Sequence, residues 1–343
     1  MSSPEDVDLL PAATAAEPFD VTNAALMSDE EVLDLAQRFY VDAAEMCRTG
    51  MTLGGYRIPK SDSPDQIIIK YFNLLKRYIE PKRRRVWYSR EFECPAEHQI
   101  GLRRLAKLIE KGQDINPHQS KRLRKPQSKD SLLNDWGVHH FHLGNNLTTD
   151  GFAERTGPLL FARVDPIDVY FLTVGDHNDF SRQELVRMLH GNWPEVILPY
   201  RLHGILGGPT PWTDSDIKTL RAIGRTSMLQ MPDGTIYMGP GGGYSTDGTS
   251  TDVVGRRNEI VRLCRHLAGL VRDHVHLLKA ECEKKGTRFD PPYQFRLYVI
   301  NGMAYAWEER HDAVLNLSTP ISLPSMSIPD FGHPITRPRA DRD

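Results

Sequence analysis

Apolar residues recur every three to four positions through the first third of the chain, and every second position in the segment that follows. In SDEEVLDLAQRFYVDAAEMCRTG (28–50), Val32, Leu35, Phe39 and Val41 form one stripe, and Ser28 followed by Glu31 spells a capping box, so the pattern predicts a helix. SPDQIIIKYFNLLKRYI (63–79) predicts a second, and EHQIGLRRLAKLIEKG (97–112) a third that Gly112 closes. The period then shortens to two. GVHHFHLG, GPLLFARVD and IDVYFLTVGDH read as strands, RVDPID (163–168) joins the last two as a hairpin, and SRQELVRMLHGNW closes the unit as a helix. This order predicts an α+β domain with N-terminal helices and a small antiparallel sheet.

A second α+β unit follows Pro209. TDSDIKTLRAIG predicts a helix, SMLQMPDGTIYMGP a hairpin about a DG turn, and residues from about Asp252 to Lys285 one long helix. FRLYVINGMAYAWEE adds a hairpin about an NG turn, and the resulting antiparallel sheet is expected to pack on the long helix. The expected organisation is a disordered tail over 1–27, a first domain over 28–208, a second over 209–320, and a Pro-rich tail over 321–343. The Gly-rich stretch 239–248 precedes a helix, where backbone N–H groups can hold an anion, but it lacks the GxxxxGK[ST] spacing and reads as a connector.

Composition adds little until charge is mapped. At 343 residues, 39% hydrophobic and 26% charged, the chain is ordinary globular material. No apolar run reaches membrane-spanning length and no secretory leader is visible, so the expected location is the cytoplasm, with no membrane partner. Cys47, Cys94, Cys264 and Cys282 are scattered and suit reduced thiols. The formal net charge of −2 hides an asymmetry, because Lys76 to Lys129 carries sixteen Lys and Arg against six Asp and Glu. Within it, KRYIEPKRRRVWYSR (76–90) mixes cations with aromatics, and SKRLRKPQSK (120–129) follows. That composition suits phosphate neutralisation and base stacking by Lys82, Arg83, Arg84, Arg85, Trp87, Arg122, Arg124, Lys125 and Lys129, and equally suits a solvated basic face.

The chemistry-bearing element is DWGVHHFHLG (135–144). Strand alternation sends Val138, His140 and His142 to one face and His139, Phe141 and Leu143 to the other. With Phe141 and Leu143 marking the core, His139 is expected to be a hydrogen-bonded core histidine, and His140 and His142 to stand about 6.6–6.8 Å apart on an open face. Asp176 and His177, at the end of the third strand, are candidates to join them. Two imidazoles can take a proton from a ribose 2′-hydroxyl and return one to the departing 5′-oxygen, with Arg155, Arg163, Lys125 or Lys129 offsetting the phosphate charge. No metal is needed for that chemistry. The alternative is a three-histidine zinc site of His140, His142 and His177 in a metal-dependent hydrolase. A third reading is a non-catalytic nucleic-acid- or protein-binding module. In the C-terminal helix, Cys264, His266, His274 and His276 look metal-like as a list but diverge around the helix.

The run LIEKGQDINPHQSKRLRKPQSKDSLLNDWGVHHFHLG with GPLLFARVDPIDVYFLTVGDHNDFSRQELVRML (108–189) resembles the layout of RelE/HigB-type toxins, the mRNA-cleaving branch of a barnase/EndoU/colicin/RelE-like ribonuclease fold. The resemblance spans about 80 residues. It implies RNA as substrate and an antitoxin or other protein as partner. RelE-like toxins use Arg, Lys and Tyr on the central strands, whereas this strand carries His140 and His142, nearer to the His-dependent members of the wider fold. The chain is also similar to bacterial proteins sharing a WGxHHxHL element. The resulting expectation is a toxin-like, RNA-cleaving ribonuclease with His140, His142, His177, Asp176 and Arg155 at its site.

Overall fold

A computed structural model describes residues 26–205 and 211–317. The two expected tails, apart from Leu26 and Met27, and the expected boundary at 208/209 lie outside the described residues. The chain is α+β, and it divides into two compact units.

The larger unit takes in residues 69–256. Helix α2 (Pro64–Arg77) enters it, strand β1 (Arg85–Tyr88) follows, and α3 (Gln99–Lys111) ends at Gly112 in the left-handed conformation, as a C-terminal glycine cap requires. Helix α4 (Ser131–Trp136) is capped by the Asp130 side chain and stopped by Gly137, also left-handed, which turns the chain into β2 (Val138–His142). Strands β3 (Leu159–Val164) and β4 (Asp168–Gly175) form the expected hairpin, and α5 (Glu184–Asn192) and α6 (Pro194–Ile197) close this stretch. The sheet order is β1-β4-β3-β2. Strand β1, inside what the sequence offers as a basic run, pairs with β4 in parallel, so the sheet is mixed rather than purely antiparallel.

Both faces of this sheet are covered. Phe141, Leu143, Leu160, Ala162 and Phe171 pack against Leu102, Leu105 and Ile109 of α3. On the other face Val138, Leu159, Phe161 and Leu172 pack against Leu185, Val186 and Leu189 of α5. The expected open face of β2 is therefore a second core face. A single strand shows alternation but not what another segment lays over it.

That second core also contains Ile217 of α7 (Asp214–Ala222), Leu229 of β5 (Leu229–Gln230) and Tyr237 of β6 (Ile236–Tyr237). Residues on both sides of 208 thus share one core, and the units do not divide there. Among the described residues the divisions fall instead after Leu53, after Tyr56, after Ile68 within α2 and after Arg256 within α8 (Thr251–Lys284).

The smaller unit is built on α1 (Asp29–Leu53), whose predicted capping box is present: the Ser28 N–H donates to Glu31 Oε2 at 2.7 Å and the Glu31 N–H to Ser28 Oγ at 3.2 Å. Strands β7 (Phe295–Ile300), β8 (Met303–Glu308) and β9 (Ala313–Asn316) form an antiparallel sheet in sequence order. Strand β7 lies along α1, where buried Asp42 accepts from Arg296 Nε and from the Leu297 N–H, both at 2.8 Å. Apolar patterning assigns this sheet to the long helix, whereas a buried carboxylate on α1 ties it to the first helix.

Candidate functional site

Strand β2 carries its three histidines into unlike surroundings. His142 is 3% exposed, and its Nδ1 is buried without a hydrogen-bond partner among the described residues. Burial, then the charges of Arg155, His140 and His177, push its pKa down to about 4, so the ring is neutral at physiological pH. The His142 carbonyl lies 2.9 Å from Nδ1 of buried His118, which must carry the proton there. His140 is half-buried, its pKa lowered chiefly by burial and also by the charges of His177, Arg155 and Arg122, against the opposing pull of Asp130. Asp130 Oδ2 stands 3.7 Å from His140 Nδ1, an electrostatic contact longer than a hydrogen bond.

His177 does approach the pair. It begins a short 3-10 turn (His177–Ser181) after β4, is exposed, and its ring centre is 6.3 Å from that of His142. Phe180 holds the group together, with its ring 4.9 Å from His140, 5.8 Å from His177 and 5.8 Å from Phe161 beneath it. Sequence reading missed Phe180, although NDF beside GDH places an aromatic one turn from His177. Arg155 is exposed and close enough for its charge to be felt at both His140 and His142. Asp176 is exposed at the head of the turn, where its N–H donates to Asp179 Oδ2 at 2.8 Å.

Two imidazoles sharing a tetrahedral zinc ion have ring centres roughly 5 Å apart, given Zn–N bonds near 2 Å. The His142–His177 spacing of 6.3 Å is wider than that. Among the described residues no group of three or more His, Cys, Asp or Glu side chains is arranged to hold a metal ion.

The basic residues separate into three kinds. Arg84 is not a surface cation: it is 9% exposed, and its guanidinium donates to the backbone carbonyls of Asp165, Glu80 and Lys82. Arg85 and Trp87 both reach Asp168, Arg85 through two bonds of 2.7 and 2.9 Å and Trp87 through its indole N–H at 2.8 Å. They lie on β1, at the opposite edge from β2. Three strand spacings put roughly 14 Å between those edges. Lys82 and Arg83 are exposed just before β1, with Lys82 paired to Glu80 at 3.3 Å.

The second basic segment sits nearer the histidines. Arg122 is exposed and its charge is felt at His140. Lys125 is exposed, Lys129 pairs with Asp247 at 3.2 Å, and Arg124 lies over the Phe152 ring at 4.8 Å while donating to the Asp150 carbonyl. Arg163 pairs with Val138 at the opposite end of β2 from His142, where it lines a separate cavity. The cations facing the histidines are therefore Arg155 and Arg122.

His139 is buried, as expected of a residue on the Phe141 face, and burial drives its pKa down to about 4. The expected hydrogen-bond partner is missing among the described residues: its ring stacks on Phe141 at 6.0 Å and borders a cavity. The Gly-rich loop has its own tertiary role. The N–H groups of Gly241 and Gly243 donate to the carbonyls of Asp135 and Asn134 at the end of α4, at 2.7 and 2.9 Å, so these two groups are not available to an anion. Side-chain volume at Gly241 would collide with the Leu133 and Asn134 carbonyls and with the Gly137 nitrogen.

Comparison with protein-family models, with curated proteins and with solved structures returned no match. Among the described residues no helix is long and apolar enough to cross a membrane.

Proposed function

We propose that this protein cleaves RNA without a metal, with His142 as general base and His177 as general acid, and Arg155 and Arg122 as phosphate-binding cations. The observation that carries the proposal is the pairing of a buried neutral imidazole with an exposed one, 6.3 Å apart and beside Arg155. His142 takes the proton from the ribose 2′-hydroxyl as O2′ attacks phosphorus. The P–O5′ bond breaks, the departing O5′ takes a proton from His177, and the products are a 2′,3′-cyclic phosphate and a free 5′-hydroxyl. Charge gathering on the non-bridging oxygens is offset by the two arginines. His140, seated against Phe180 and facing Asp130, is a positioning residue in this scheme rather than half of an equal pair. The sequence resemblance of residues 108–189 to RelE/HigB-type toxins supports RNA as the polymer, and the toxin-like character and a protein antitoxin follow only from that resemblance.

The test is cleavage of end-labelled single-stranded RNA by the full chain, with and without EDTA. Expected are cyclic-phosphate products, no cutting of a 2′-deoxy substrate, insensitivity to chelation, and losses of at least about a hundredfold in His142→Ala and His177→Ala. Intact RNA after prolonged incubation, or unchanged rates in both variants, overturns the proposal. Loss on chelation with recovery on adding zinc overturns it in favour of the metal-dependent alternative.

A further inference from the structure

The first residues of the histidine strand border a cavity of about 540 Å³ whose walls come from elements far apart in sequence: Lys76 of α2, His139 of β2, Arg163 of β3, the Pro240–Gly242 loop, and Thr251 and Asp252 in the first turn of α8. Its size is that of a small-molecule pocket. Tyr200, Leu133 and Val164 give it an apolar flank.

The charges around it are unevenly matched. Arg163 is paired, donating to Asp165 at 3.1 Å and to the Pro240 carbonyl at 3.2 Å. Asp252 is paired with Arg256 at 3.5 Å. Lys76 has no such contact: its ammonium donates to the Gly241 carbonyl at 2.9 Å and to Ser250 Oγ at 2.7 Å, and among the described residues no carboxylate lies within ion-pair distance, although the charge of Asp252 is felt there. An ammonium has three protons, so one remains for the cavity.

Its location sharpens the mismatch. Lys76 sits at the N-terminal end of a 34-residue helix, where the peptide dipoles already place partial positive charge. A cation there is disfavoured, and burial lowers the Lys76 pKa accordingly. His139 is a second unmatched group. It is 8% exposed, makes no hydrogen bond with the described residues and borders the same space. A buried imidazole without a partner is costly unless a ligand or ordered water supplies one.

We propose that this cavity binds the phosphate group of a small phosphomonoester, held by Lys76, the His139 N–H and the N-terminus of α8, with the organic part against Tyr200. Three kinds of donor suit the three terminal oxygens of a monoester better than the two of a planar carboxylate. The inference is independent of RNA cleavage, since His140, His142 and His177 do not line this cavity.

Thermal melting of the full chain, at ionic strength held constant with chloride, provides the first test, using inorganic phosphate, ribose 5-phosphate and adenosine 5′-monophosphate. A saturable rise in Tm is expected, larger for the monoesters than for inorganic phosphate, with affinity at least about tenfold weaker in Lys76→Met. The second test uses only the natural chain: in imidazole 15N spectra the His139 resonances shift on addition of ribose 5-phosphate while those of His142 and His177 stay in place. This decides the matter even where Lys76→Met fails to fold. No saturable response to any of the three up to about 10 mM, equal affinity in a folded Lys76→Met, or shifts at His177 instead of His139 overturns the proposal.

Discussion

Arg221→Met tests the packing under the candidate site. Asp135 is 1% exposed, and the Arg221 side chain is 7% exposed; their contacts are 2.9 Å from Nη2 and 3.0 Å from Nε to the same Oδ2. The guanidinium also lies 4.0 Å from the Trp136 ring centre. Removing one partner of a buried pair costs about 3–5 kcal/mol, because the remaining charge stays buried and unmatched. Loss of the cation–π contact adds about 0.5–2 kcal/mol. A destabilisation of about 4 kcal/mol or more is therefore expected near neutral pH. Asp135→Asn added to Arg221→Met should recover about 2 kcal/mol, since an unbonded amide is less costly to bury than a carboxylate.

The sign with pH is fixed by the same geometry. Burial is the largest influence on Asp135 and raises its pKa against the lowering effect of Arg221. Without Arg221 it rises further. An acid whose folded pKa exceeds its unfolded value makes the folded state less stable as pH rises through that interval, so the Arg221→Met defect should shrink on acidification towards the unfolded carboxylate value of about 3.9. Urea unfolding followed by near-ultraviolet circular dichroism at several pH values measures both effects. A cost below about 1 kcal/mol, typical of an exposed pair, or one that grows on acidification, would refute the reasoning. Arg221 also donates through Nη1 to the carbonyl of Phe180, the ring that seats His140 and His177, so RNA cleavage should fall in the same variant.

Other consequences can be measured separately. The acidic limb of the kcat/KM profile for RNA should lie nearer pH 4 than the ordinary histidine value of about 6.5, because His142 acts as a base with its pKa pushed down to about 4; a limb near 6.5 would remove it from that role. The lowered pKa values of His139 and His142 also make their stability contribution complete above about 6.5 and progressively lost as pH falls from there towards 4, which urea midpoints across that range will register. Arg84→Glu should destabilise by about 3 kcal/mol or more, since it buries a carboxylate against three carbonyls, while Arg83→Glu leaves the melting temperature within a degree or two; equal effects would contradict their different burial. A chain ending at Ile205 lacks Ile217, Leu229, Met231 and Tyr237 from the core under β2 and is expected to lose its near-ultraviolet signal, whereas retained native signal would show that the core closes without them.

Local rules alone made much of this protein legible. The capping box at Ser28, the glycine stop at Gly112, the β3–β4 hairpin and the long helix of α8 depend on neighbours within a few residues, where the code is short-ranged. Alternation along β2 likewise separated His139 from His140 and His142, and the hairpin geometry made His177 a reasonable neighbour. Tertiary structure decided what alternation leaves open. Both faces of β2 are covered because α3 and α5 close over the sheet from positions distant in sequence, so His142 became a buried neutral imidazole where alternation alone predicts an exposed residue. The basic run was visible as charge, but only parallel pairing with β4 assigned Arg85 to Asp168, turned Arg84 inward and left Arg122 and Arg155 beside the histidines. The cavity beside His139 is the extreme case. Lys76, Arg163 and Thr251 are separated by tens of residues, and packing leaves Lys76 buried at a helix N-terminus with no ion-pair contact among the described residues, only the more distant charge of Asp252; long-range packing and desolvation decide this, and neither is written in local sequence.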